Sequence, residues 1–320
     1  MAHYFQMMAL AKYLLIVGPI IGATCALLSV YVVLRRMALI SEGVSHAGFG
    51  GVAVAVLVGY FMPLTDTPTW GPVWREVITG IFCLGTAMLI GYVSRRKRVS
   101  EDSAIGIFLV ATVAVGRLLL AVRTYLPYNG RPMPVNVENL LFGDFTNVGP
   151  SDAIVVGCAM VIVFGIIALW YYQFLYTTLD EEMARINGVN TQLINVLLLM
   201  MISLVIVVCV RMVGFLMITA LTIIPGATAA MLSRRFGWVL VLSVVIGTVG
   251  TFAAVCVSLV DPITQYPPGP LIVLVLFGMF VVVWAVRQFV KPKVEEVGAG
   301  EGEAPEQGKP PGAFGHGHGH

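Results

Sequence analysis

Long apolar stretches follow one another along almost the whole chain, each close to the length that crosses a bilayer. About 20 apolar residues are needed for one helical crossing. Residues 11–34, 40–61, 77–92, 104–122, 153–172, 193–210, 213–232, 239–259 and 271–286 meet or approach that length, which predicts about nine spanning helices. Of the 320 residues, 58% are hydrophobic and only 11% charged, against about 25% charged in soluble domains. One water-soluble core could not hide so much apolar surface. The expected fold is therefore all-α, a polytopic transmembrane helical bundle over residues 1–290, with a short charged helix at 179–190 and a disordered tail at 291–320. The tail is Pro, Gly, Glu and Lys with too few apolar residues to fold. Arg35 and Arg36 follow the first apolar stretch with no small-x-small cleavage site, so that stretch reads as a spanning helix and not as a secretory signal.

The basic residues orient these crossings. Arg35-Arg36, Arg95-Arg96-Lys97-Arg98, Arg185, Arg234-Arg235, Arg287, Lys291 and Lys293 all fall on one side of a nine-helix count. The positive-inside rule makes that side cytoplasmic, with the N-terminus outside and the C-terminus inside. Arg123, Arg131 and Arg211 form an external minority. Residues 124–151 then lie outside, over the mouth of the protein, and 179–190 lie inside. The acidic residues Asp180, Glu181 and Glu182, the later Arg185, and Gly188 are signs of a short capped helix. Such a helix is either a solvated connector or a docking element for a cytoplasmic partner. The final alternation of Gly and His at 315–320 is either a loose metal-binding tract or a remnant of expression. Five cysteines, Cys25, Cys83, Cys158, Cys209 and Cys256, fall singly in apolar segments and read as packing residues.

Inside the second apolar stretch stand two ionisable residues, Glu42 and His46. Charge at membrane depth is costly and usually belongs to a pathway or site. Residues four apart share a helix face, so both side chains can address one object. A carboxylate with an imidazole suits a divalent transition metal better than an organic substrate. A helix beginning near Arg36 would carry His46 about 15 Å inward at about 1.5 Å per residue, close to the midplane where transporter sites tend to lie. Two ligands are too few for a closed structural zinc site and suit an ion in transit. The alternative is that Glu42 bonds His46 or a neighbouring helix and merely holds the bundle together.

Other features are less specific. Gly18 and Gly22, and the run Gly48-Phe49-Gly50-Gly51, permit close helix approach. Pro225-Gly226 inside the seventh stretch predicts a kink or break, either for packing or for gating. There is no GxxxxGK[ST] phosphate loop, so the chain does not hydrolyse ATP by that route, and no HExxH, which argues against a membrane zinc protease. Ser45 beside His46 is not a catalytic dyad, because adjacent helical residues diverge. The chain is not read as an enzyme.

Several blocks, in order, resemble the permease subunit of the bacterial zinc, manganese or iron ABC importers (the ABC-3 type). The first runs from Leu34-Arg35-Arg36 through Glu42 to His46-Ala47, with Glu42 where the family usually has Asp. Next come Ser103-Ala104-Ile105-Gly106-Ile107 and Leu141-Phe142-Gly143-Asp144. They are followed by 180–188 and then by Val213-Gly214-Phe215-Leu216 leading to Ile223-Ile224-Pro225-Gly226-Ala227-Thr228-Ala229. The resemblance implies ATP-driven alternating access in the bacterial cytoplasmic membrane. It implies Glu42 and His46 as metal contacts and Asp180, Glu181, Glu182, Arg185 and Gly188 as the segment coupling to the ATPase. The expected partners are an ABC ATPase subunit, an extracytoplasmic metal-binding protein and a second permease copy or related permease, with no nucleic acid. No cofactor is expected to reside permanently; zinc, manganese or iron would be cargo. A permease for a metal chelate and an ATP-independent secondary metal carrier stay open as alternatives.

Overall fold

The computed structural model describes residues 2–62, 71–95, 101–126, 143, 149–258 and 268–290. Eleven helices lie in these residues: α1 (Ala2–Leu34), α2 (Ala38–Phe61), α3 (Gly71–Arg95), α4 (Glu101–Tyr125), α5 (Pro150–Leu169), α6 (Tyr171–Leu179), α7 (Glu181–Ile186), α8 (Thr191–Val213), α9 (Phe215–Leu232), α10 (Phe236–Ser258) and α11 (Pro268–Val290). Among the described residues, nine are long and apolar enough to cross a membrane; α6 and α7 are the short ones. The expected all-α polytopic bundle is therefore what the chain forms. The 291–320 tail and most of the 124–151 segment lie outside the described residues.

The helices divide into two packed groups. In one, α1 packs against α9 and α10, which in turn carry α11; in the other, α2 packs against α3 and α4. The two meet where α9 touches α2, and α8 spans both by packing on α3, α2 and α9. The apolar span of α1 is 78% buried and that of α11 17%, which puts α1 at the centre and α11 at the rim. Between helices in hydrocarbon, close packing and hydrogen bonds must replace the hydrophobic drive. Here α1 supplies both. Gly22 faces Gly247 and Thr251 of α10 so closely that a Cβ would collide with the facing backbone and side chain, and Ser243 donates to the Ala26 carbonyl at 2.7 Å.

At Pro225 the helix continues instead of breaking, for α9 runs without interruption from Phe215 to Leu232. Proline removes one backbone donor from a helix and disturbs the turn before it. The Ser29 hydroxyl of α1 enters at this point, accepting from the Gly226 amide at 2.8 Å and donating to the Ile223 carbonyl at 3.2 Å. A Cβ on Gly226 would lie 2.6 Å from Ser29 backbone. The glycine is thus required by the approach of a neighbouring helix.

Two other departures from expectation concern helix ends. The fifth span stops at Leu169, and Trp170 (φ −108°, ψ 24°) turns the chain into the separate helix α6. That helix buries Phe174 and Thr177 while Tyr172 and Tyr176 stay exposed, an interfacial pattern. The link between α1 and α2 is only three residues long. Arg36 adopts φ +58°, its amide bonds the Val33 carbonyl at 3.1 Å, and the Met37 amide bonds the Val32 carbonyl at 2.8 Å. This is a Schellman closure with arginine where glycine is usual.

Two of the basic turns come together in space. The Tyr31 ring meets Phe174 at 5.4 Å and Phe236 at 5.7 Å between centroids. These contacts bring the elbow after α1, the end of α6 and the Arg234-Arg235 turn to one end of the bundle. At the end of α2 remote from that elbow, Arg123 of α4 lies over the Tyr60 ring at 4.7 Å.

Replacing Gly226 by Val should force α1 and α9 apart and cost about 1–3 kcal/mol. Gly278→Ala, where nothing lies within 4 Å of the added Cβ, should leave stability the same or higher. Thermal unfolding of the detergent-solubilised protein reads both.

Candidate metal site and cytoplasmic joint

The run Ser41, Glu42, Ser45, His46 turns two different faces of α2 to two different tasks. Ser41 and Ser45 are fully buried. Ser41 Oγ pairs with Thr222 Oγ1 of α9 at 3.1 Å, and the Ser45 hydroxyl donates to the Ser41 carbonyl at 2.9 Å. Glu42 and His46 are only half-buried. They stand one turn apart, but among the described residues no hydrogen bond joins them to each other or to a neighbouring helix. A pair that served only to hold the bundle would be expected to satisfy itself internally. Counted from Ala38, His46 lies about 12 Å along α2 at about 1.5 Å per residue.

Among the described residues, no third His, Cys, Asp or Glu joins them to make a three-ligand metal cluster. Each chain therefore offers two donors, one oxygen and one nitrogen, on a face its own helices leave partly open. Such a set can hold a divalent ion loosely if further ligands come from another chain, from water or from what delivers the ion. The cysteines stand apart from it. Cys25, Cys83 and Cys209 are buried, Cys256 is half-buried and Cys158 is exposed.

The second candidate segment is α7, and its sequence explains its shape. Asp180 is the N-cap: its Oδ1 accepts from the amides of Glu182 and Met183 at 3.0 Å each. Gly188 closes the helix with φ +78°, its amide bonding the Arg185 carbonyl at 3.1 Å while the Val189 amide bonds the Ala184 carbonyl at 3.0 Å. Nothing crowds Gly188, so glycine is favoured there by its backbone angle alone. Glu181 and Arg185 approach to 3.8 Å with side chains 48% and 72% exposed, a geometry that contributes little to stability. Glu181 also accepts from Asn195 of α8 at 3.4 Å. An open recess of about 600 Å³ lies between α7 and the start of α8, lined by Glu181, Arg185, Asn190, Gln192 and Asn195 among others.

Sequence reasoning gave α7 its charged residues but missed its apolar ones. Met183 and Ile186, three residues apart on one helix face, are 56% and 77% exposed, and Leu179 just before them is 67% exposed. Only Ala184 turns inward. The signal was present in the sequence, as large apolar residues inside an otherwise polar segment. Arg35 was the other residue missed. Its Nη2 donates to the Thr177 carbonyl of α6 at 3.4 Å. Burial pushes its guanidinium below the ordinary arginine range, and the charge of Glu181 acts in the opposite direction. Ser29, Thr222, Glu42 and His46 lie within the membrane-spanning helices; Arg35 and α7 lie at the arginine-rich end.

The comparisons with known proteins agree in kind. The sequence profile of the ABC 3 transport family matches residues 6–287. The chain is 32% identical over 298 residues to the manganese transport system membrane protein MntC of Halalkalibacterium halodurans, covering 92% of each. It is 28% identical to the chelated iron transport system membrane protein YfeC of Yersinia pestis, covering 73% of this chain and 72% of the relative. Among solved structures, a chain of PsaBC from Streptococcus pneumoniae in complex with Fab superposes with a TM-score of 0.71 at 23% identity, covering 85% of this chain and 90% of that one. That likeness speaks for the fold.

Asp180→Ala should lose the cap of α7 and cost about 1 kcal/mol of local stability. Gly188→Ala should cost a similar amount, about 1 kcal/mol, through its backbone angle. Amide hydrogen exchange confined to 180–190 measures each, with the nine spans unaffected.

Proposed function

The chain belongs to the ABC 3 transport family, and on that premise we propose that it is the permease subunit of an ATP-driven importer for a divalent transition metal ion. One observation carries the reading. Glu42 and His46 stand one turn apart at membrane depth, half-buried, with no hydrogen-bond partner among the described residues. An ionisable pair left unsatisfied in a bundle otherwise so apolar is costly unless something passes that needs it. Manganese, zinc and ferrous iron each accept a carboxylate and an imidazole.

The two-donor set also supports a two-permease assembly. A second copy, or a related permease, facing the same open side of α2 would bring another pair and share one path. Met183 and Ile186 support an ABC ATPase as the partner on α7, because two large apolar side chains on a short polar helix gain by burial against a protein groove. The arginines at this end support reading it as the cytoplasmic side of a bacterial cytoplasmic membrane. An extracytoplasmic binding protein would then deliver the ion at the opposite mouth. ATP is consumed by the partner. Ion entry follows alternating access, with Glu42 and His46 meeting the ion between the two openings and Pro225-Gly226, held by Ser29, belonging to the frame that α2 works against.

A second reading is favoured by the name of the Yersinia pestis relative, which refers to chelated iron. A chelate presents an organic surface and does not require direct ligation by Glu42 and His46. Uptake by proteoliposomes that contain the permease, its ATPase and its delivery protein separates the two. Wild-type protein should take up one bare ion on ATP addition. His46→Ala should lower that uptake at least about tenfold, with assembly and ATPase binding retained. Uptake of the bare ion at the wild-type rate by His46→Ala would remove the metal contact. Substituting both Met183 and Ile186 by Ser should weaken ATPase co-purification by more than about tenfold, and full yield would remove α7 as the docking element.

A further inference from the structure

Two corners of the bundle meet at its arginine-rich end. The first is Trp170–Tyr172, where α5 gives way to α6. The second is the turn between α9 and α10, closed by the Arg235 amide donating to Ser233 Oγ at 3.2 Å. Aromatic rings join the two. Tyr171 lies 6.2 Å from Phe236 and 5.5 Å from Tyr172 between centroids, and a Cβ on Gly237 would stand 3.8 Å from the Tyr171 hydroxyl. Tyr172, itself exposed, is thereby held near the turn that carries Arg234 and Arg235.

Both arginines are exposed, and among the described residues neither side chain has an ion pair or a hydrogen bond. Arg185 at the same end, in contrast, has Glu181 at 3.8 Å. A free guanidinium offers paired N–H donors that match a phosphate. The acidic first turn of α7 begins at the far end of α6, about 13 Å from Tyr171 at about 1.5 Å per residue. That exceeds a Debye length of about 8–10 Å, so these acids do little to cancel the two cations.

Directly after the arginines, α10 turns an apolar stripe outward. Trp238, Val241, Val245 and Val249 are all exposed, at spacings that place them on one side of the helix. From Trp238 to Val249 is about 16 Å of helix at about 1.5 Å per residue, which is about one leaflet of a hydrocarbon core about 30 Å thick. Trp238 opens the stripe at its polar end, where tryptophan and tyrosine concentrate in membrane proteins. Charge, aromatic ring and apolar track therefore follow one another in the order of headgroup, glycerol and acyl chain.

We propose that this corner is a binding site for an anionic phospholipid. Arg234 and Arg235 hold the phosphate-bearing headgroup, Tyr172 and Trp238 flank the glycerol level, and one acyl chain lies along Val241–Val249. Continuity of the arginines with the apolar track favours a lipid over the ATPase as the occupant, since a soluble partner would not follow α10 into the membrane. The site is independent of what the permease carries, so it stands or falls apart from the importer reading.

The test is the relative binding of phosphatidylglycerol and phosphatidylcholine at Trp238, read by fluorescence quenching with brominated forms of each lipid in vesicles. The full-length chain is used with Trp70, Trp74, Trp170 and Trp284 replaced by Phe, so that Trp238 alone reports. Each arginine near a charged surface is worth about fivefold, so phosphatidylglycerol should be preferred at least about fivefold. Arg234→Gln with Arg235→Gln should bring the preference below about twofold, and the paired Lys substitutions should keep part of it. Arg287→Gln, which removes an exposed charge at the same end but on α11, should leave the preference unchanged. No preference in the unmodified corner overturns the inference, as does an equal loss in Arg287→Gln, which would mean diffuse surface charge only. A paired Gln variant that keeps the preference but loses ATPase co-purification assigns the arginines to the ATPase and also overturns it. If the single-tryptophan chain does not fold, thermal unfolding of the otherwise unmodified chain in detergent decides. Phosphatidylglycerol should then raise the midpoint above that in phosphatidylcholine, and the same rise in the paired Gln variant overturns the site.

Discussion

A backbone carbonyl or amide inside a bilayer has no water to turn to, and the structure depends on how each interrupted helix meets that demand. Beside Pro225 in α9, a serine from α1 bonds the Gly226 amide and the Ile223 carbonyl. Where α1 ends, its last carbonyls are closed by the amides of Arg36 and Met37, although the conformation would suit glycine better. Where α6 ends, the arginine just after α1 covers one carbonyl. In all three cases the group responsible belongs to α1 or to the turn directly after it. Its burial at the centre of the bundle is the geometric result, since a helix that satisfies so many neighbours must touch them.

This division of labour extends into α2. Its hydroxyls are spent on packing: Ser41 reaches Thr222, and Ser45 returns to its own helix. Its ionisable groups are spent on nothing within the chain. Polar side chains of both kinds alternate over six residues, so the helix turn itself sorts them, the small ones toward α9 and the large ones toward the open side. Had Glu42 and His46 pointed where the serines point, they would have been buried in a seam too narrow to admit an ion.

Much of this was legible in the sequence. Hydropathy alone supplied the nine spans, because the demand for about 20 apolar residues leaves few alternatives. The Glu42–His46 spacing and the cap signals from Asp180 to Gly188 were legible for the same reason: they depend on neighbours within one or two turns. The separate helix α6 was not. Trp170, Tyr171 and Tyr172 count as apolar in a hydropathy window, yet they prefer the interface, and the sum hides the turn between them. Nor could Pro225 announce that its helix would continue, since the serine that bonds the turn around it lies almost 200 residues earlier. Arg35 was legible as a positive-inside residue and as a member of the first family block, but not as a partner of α6. Its bond to the Thr177 carbonyl depends on α6 folding back to the end of α1, which no local pattern records.

The seams around α9 differ in what it costs to open them. Parting α1 from α9 strips both the Gly226 amide and the Ile223 carbonyl of Ser29, and it undoes a backbone approach that only glycine permits. Parting α2 from α9 breaks the Ser41–Thr222 hydroxyl pair. Thr222 still has the Ile218 carbonyl at 2.9 Å, and a helical serine can turn its hydroxyl onto the carbonyl one turn back. One seam therefore loses partners for backbone groups when it opens, while the other loses a hydroxyl pair and the packing of Gly48 and Phe49 on Phe215, and strands no polar group in oil.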